Sequence, residues 1–167
     1  MIYVSYLSEN GNPDEAFERY ERLKIEFPGE YWQLEQPHRL ALALAHEKQP
    51  DKAVRIFEDL LSMPCNPKHH MHYAHFLAYT SNDTYWNPTR ALQIAEDAIG
   101  HIDIDVQNMS VTLQYLDILA MNGRFNLVVE KATKMLERED LFNTDRDALK
   151  ITIKLAKAGS QRPRVDI

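Results

Sequence analysis

Cysteine is almost missing from this chain. Cys65 is the only one in 167 residues, so no intramolecular disulfide framework exists and the redox compartment is undeclared. Five glycines and eight prolines are too few for a collagenous or low-complexity chain. An excess of positive charge is also absent. Nineteen Lys+Arg stand against 25 Asp+Glu, a net charge of −6, which is the wrong sign for holding a phosphate backbone, so no nucleic-acid partner is expected. No apolar run approaches the roughly 18 residues of a membrane helix, and no membrane partner is expected. The start, Met1-Ile2-Tyr3-Val4-Ser5-Tyr6-Leu7, lacks the basic opening and small-residue cleavage site of a signal peptide, which makes the cytoplasm the expected compartment.

Catalytic motifs are missing as well. There is no Gly-rich phosphate loop and no Gly-x-Ser-x-Gly elbow. Cys65 lies four residues before His69, but Pro64 and Pro67 put it in a connector where nothing assembles an oxyanion hole. Glu58 and Asp59 are adjacent on a helix and do not converge across a cleft. Neither an enzyme nor a cofactor is expected.

What is present is helical punctuation. Pro13, Pro50 and Pro88 each follow a polar residue and open an apolar-periodic stretch, where a helix tolerates a missing N–H. Asn12 and Asn87 are N-cap candidates. Apolar residues then recur at helical spacing, as in Ala16, Tyr20, Leu23 and Phe27, or Ala53, Phe57, Leu60 and Leu61. No strand alternation survives, so the fold class expected is all-α.

The helices repeat. An apolar–small pair, an apolar residue three further on, and a small residue opening a second helix occur at Tyr3-Val4/Leu7/Ala16, Leu40-Ala41/Leu44/Ala53 and Tyr73-Ala74/Leu77/Ala91. Tyr115-Leu116/Leu119/Val128 follows with bulkier substitutes. The second helices begin 37, 38 and 37 residues apart, and Ser81–Trp86 carries an insertion of five. A fifth first helix, Ile151-Thr152 to Leu155, leads to Gly159. This pattern resembles the tetratricopeptide repeat (TPR), a helix–turn–helix of about 34 residues, in a long-looped variant of bacterial type. Ala16-x3-Tyr20 with Pro28, and Ala53-x3-Phe57 with Pro64, match its second-helix signature. Gly11 and Gly123 stand at its interhelix turn. The repeat here is longer than the family's, and Leu116 and Val128 replace small residues.

The resemblance covers residues 1–159. It implies a right-handed solenoid of about four helical hairpins plus a terminal helix, with residues 160–167 as a flexible C-terminal tail. In the family, first helices line a concave groove that holds a peptide or partner protein, which implies a non-catalytic adaptor or scaffold. Carried over, the groove residues are Arg39, Leu42 and His46; Lys68, His72, His75 and Tyr79; Gln114, Asp117 and Met121; and Arg146, Lys150 and Ile153. The outside is more acidic, with Glu58, Asp59, Glu96 and Asp97, so a groove richer in cations would favour an acidic segment. The bland alternative is a set of solvated surface residues.

Four of seven histidines fall between Cys65 and His75. His69, His72 and His75 share a helix face, so they are the candidate metal ligands of an alternative reading, a metal- or pH-responsive module. No nearby carboxylate completes a ligand set, and no metal is expected. On the last helix Leu149 and Ile153 lie on a different face from Ala148, Ile151 and Leu155. Such an uncapped end invites self-association through terminal helices, and a structural oligomerisation module is a further alternative.

Overall fold

The computed structural model describes residues 12–28, 37–62, 67–101 and 108–164. These form eight helices and, among the described residues, no β-strand: α1 (Pro13–Glu26), α2 (Pro37–His46), α3 (Pro50–Leu61), α4 (Pro67–Tyr79), α5 (Pro88–Ile99), α6 (Met109–Met121), α7 (Phe125–Leu136) and α8 (Asn143–Lys157). The expected first helix near residues 3–7, Gly11, Pro64 and Cys65 lie outside the described residues. None of the eight helices is long and apolar enough to cross a membrane.

Helix starts follow the punctuation. Pro13 opens α1 and Asn12 Oδ1 accepts the Glu15 N–H at 3.3 Å; Pro88 opens α5 and Asn87 Oδ1 accepts the Arg90 N–H at 3.0 Å. Pro50 opens α3 without a side-chain cap, and Asp51 in the first turn complements the positive end of the helix.

Two turns between helices share one closure. After α6 the Arg124 N–H bonds Leu119 O and the Gly123 N–H bonds Ala120 O, both at 2.9 Å, with Gly123 at φ +71°. After α2 the Gln49 N–H bonds Leu44 O and the Lys48 N–H bonds Ala45 O, with Lys48 at φ 59°. Both are six-to-one, five-to-two caps with a left-handed residue at the turn, a conformation glycine adopts without penalty and lysine does not. Lys48→Gly is therefore expected to raise unfolding free energy by about 1 kcal/mol. An unchanged or lower urea midpoint would contradict the strain at this turn.

Each helix packs on the next from α1 to α8, and α2 also reaches α4, α4 reaches α6, and α6 reaches α8. One hydrophobic cluster runs through all eight helices. Ala41, Ala53, Ala74 and Ala91 are fully buried in it, where a missing side chain lets two helices approach closely. Leu116 and Val128 occupy the equivalent buried places in the α6–α7 pair. On α8 the buried line is Leu149, Thr152 and Ala156, while Ile151 and the preceding Phe142 are exposed.

The insertion is an ordered loop. Asn82 accepts the Thr84 N–H on its side chain and the Trp86 N–H on its carbonyl, each at 3.0 Å. The Trp86 indole donates to Ala78 O at 3.1 Å, closing the loop on the end of α4.

Candidate functional site

Helix α4 carries His72, His75 and Tyr79, and α6 carries Gln114, Asp117 and Met121. Both triplets have the i, i+3, i+7 spacing that aligns side chains along one helical stripe. Because α4 and α6 pack side by side, the two stripes meet. Gln114 Nε2 lies 3.3 Å from His72 Nδ1, and the His75 ring stacks on Tyr79 with centroids 4.7 Å apart.

Helix α2 adds His38. Its ring stacks on His72 at 4.4 Å with an interplanar angle of 1°, and meets His69 at 4.7 Å and 31°. Burial, the largest cause, holds His38 down at about 3 and His72 at about 4, reinforced by neighbouring imidazoles and, for His38, by Arg39. Burial likewise lowers His75 to about 4, with Arg162 adding to the effect, and lowers His69. All four rings are neutral near pH 7. The buried Nδ1 atoms of His38 and His69, the Tyr79 hydroxyl and Gln114 Oε1 have no hydrogen-bond partner among the described residues.

Asp117 is the only charged residue in α6, and it is 7% exposed. Burial pushes its carboxyl up to about 6, with Arg162 pulling the other way. Burial also pushes the Tyr79 hydroxyl up, helped by Asp117 and opposed by Arg162.

Arg162 comes from the stretch expected as a flexible tail, residues 160–167, of which residues 160–164 are described. Past the left-handed Gly159, the chain turns back over the α4–α6 face. Gln161 Nε2 donates to Ala120 O at 3.3 Å and Met121 O at 3.2 Å, and Arg162 Nε lies 3.2 Å from Asp117 Oδ1. Arg164 donates to Thr80 O at 2.9 Å and Ser81 O at 2.7 Å, pairs with Asp83 at 2.8 Å, and lies 4.7 Å over the Trp86 ring. Residues 165–167 lie outside the described residues.

The other candidates are placed elsewhere. Leu42 and Ile153 are half-buried against the core. Arg39, Lys68 and His46 are exposed, and His46 borders a hollow of about 400 Å³ with Lys48, Thr80 and Asn82. Arg146 donates to Leu136 O at 3.1 Å and to Arg138 O, so it closes the end of α7. Lys150 pairs with Asp147 at 3.2 Å in solvent. As for the metal candidates, His75 turns to Tyr79 while His69 and His72 meet His38, and among the described residues no group of three or more His, Cys, Asp or Glu side chains is placed to hold a metal ion.

His38 and the Gln161–Arg164 segment were the features missed by sequence reasoning. The readable signal was Asp117, a lone charge in an apolar helix that calls for a cation. Compared with known proteins, the chain matches no family model, no curated protein and no solved structure.

Proposed function

We propose that the chain is a TPR-like right-handed solenoid that acts as a non-catalytic adaptor, holding an extended peptide segment of a protein partner along the face built by α2, α4 and α6. The observation that carries this reading is the seating of residues 161–164 on that face, through side-chain bonds to Ala120, Met121, Asp117, Thr80 and Ser81. A face that takes one extended segment offers acceptors, an aromatic platform and apolar floor to another. Shape and directed hydrogen bonds suffice for this role, and no bond-making chemistry is needed.

The reading is tested with a photo-crosslinking residue at Gln114, and at Glu96 on α5 as the contrast. A partner captured from Gln114 and not from Glu96 is the expected result. Capture from Glu96 alone moves binding to the opposite face and removes the proposal.

A second reading, a pH-responsive module, draws on the contact of the His38, His69 and His72 rings. Protonating them sets like charges against each other between α2 and α4.

A further inference from the structure

We infer that the α4–α6 face is a receptor for an arginine-bearing segment of a protein partner, with two arginines two residues apart, and that this chain's own Gln161-Arg162-Pro163-Arg164 holds the receptor until such a partner displaces it. This rests on the groove reading above and names its ligand. It names a different ligand from the acidic segment expected from the cations of the carried-over groove.

The receptor's acceptors point to arginine. Thr80 O and Ser81 O stand at the end of α4, and Ala120 O and Met121 O at the end of α6. Carbonyls at the C-terminal end of a helix carry the negative end of its dipole, so they attract cationic donors. Arg164 bonds Thr80 O and Ser81 O and pairs with Asp83 through three guanidinium nitrogens, and its guanidinium carbon lies over the Trp86 ring. That fan of donors over a flat ring suits guanidinium and not the compact ammonium of lysine. Carboxylates in the same places would face Asp117, Asp83 and four carbonyls.

Asp117 is the second independent observation. A carboxylate buried in an apolar helix is costly unless a cation meets it, and Arg162 is its ion-pair partner. The side chains of 161–164 make these bonds, so another chain presenting the same side chains can make them too. The cis segment is tethered to α8, and a short tether gives an effective concentration on the order of millimolar. A trans ligand of about 100 µM intrinsic affinity is thereby weakened on the order of ten-fold.

The test uses the full chain and its R162Q/R164Q variant, with a fluorescent Ser-Gln-Arg-Pro-Arg peptide and a second peptide carrying Glu in place of both arginines. Anisotropy is expected to show the variant binding the arginine peptide about ten-fold more tightly than wild type, with D117N added to the variant removing most of that gain. The glutamate peptide is expected to bind neither protein. A folded variant that takes the glutamate peptide and refuses the arginine one overturns the ligand assignment and leaves the groove reading standing. Refusal of both peptides overturns the inference, and the crosslink at Gln114 decides the groove reading separately. Should the variant lose its helical circular dichroism, wild type serves instead. A nitroxide-labelled arginine peptide at millimolar concentration should broaden the Trp86 indole N–H resonance, and an unbroadened resonance overturns the inference.

Discussion

Phe57→Ala is expected to lower the free energy of unfolding by about 3–5 kcal/mol, read as a fall in urea midpoint with an unchanged slope. Phe57 is fully buried in α3, with its ring stacked on Tyr73 at 4.9 Å and tilted against Phe76 at 5.6 Å. The Tyr73 hydroxyl donates to Glu58, Arg90 bonds both oxygens of Glu58 at 2.7 and 3.0 Å, and the Arg90 guanidinium lies 5.8 Å over Tyr73. One ring thus backs a node joining α3, α4 and α5. Aromatic removal leaves a cavity that these tied groups cannot collapse to fill, so the upper half of the range applies. Phe57→Leu should cost less than half as much, since it keeps most of the volume. A loss below about 1 kcal/mol for the alanine variant would mean that the node repacks freely.

Acidification is expected to destabilise the fold between pH 6.5 and about pH 4.5. Four imidazoles are held below their ordinary 6.5: His38 at about 3, His72 and His75 at about 4, and His69 lower than usual. In that window the unfolded chain binds protons that His38, His72 and His75 do not take up in the folded chain, and the lowered His69 acts in the same direction, so stability falls as pH falls. Asp117 works in the opposite sense. Its folded value near 6 exceeds 3.8, so the folded chain takes up a proton there and recovers some stability. One carboxyl shifted by about two units does not balance four imidazoles, three of them shifted by more. Each unit is about 1.4 kcal/mol, and with the partly open rings discounted for screening the net loss is about 3 kcal/mol. A urea midpoint that stays flat from about pH 7 to about pH 4.5 would refute the buried neutral stack. His38→Gln should flatten the slope without abolishing it.

Much of the fold was legible because helix ends are written locally. Proline at a first turn, Asn12 and Asn87 as caps, and Gly123 at a left-handed turn each act within a few residues of themselves. The pairing of α4 with α6 was legible in part, since the i, i+3, i+7 spacing of His72, His75 and Tyr79 and of Gln114, Asp117 and Met121 selects the meeting stripes. Arg146 shows where spacing alone fails. A register assigns a face, but the nearby carbonyls of Leu136 and Arg138 at the end of α7 claim the side chain first. The docking of residues 161–164 was illegible for another reason. Their composition has the look of a tail, and their partners, such as Thr80 and Asp117, lie tens of residues away and converge only when α4 and α6 are already packed.

The histidine stack also alters how the molecule looks from a distance. From composition, the isoelectric point is about 5.6, a figure that counts every imidazole as an ordinary base. With His38, His72 and His75 silenced by burial and His69 shifted in the same direction, folding withdraws positive charge around that pH, and the protonated Asp117 returns only a fraction of it. The native chain therefore focuses at a more acidic position than its own unfolded form, and in mildly acidic solution it meets other molecules as a stronger anion than its residue count declares.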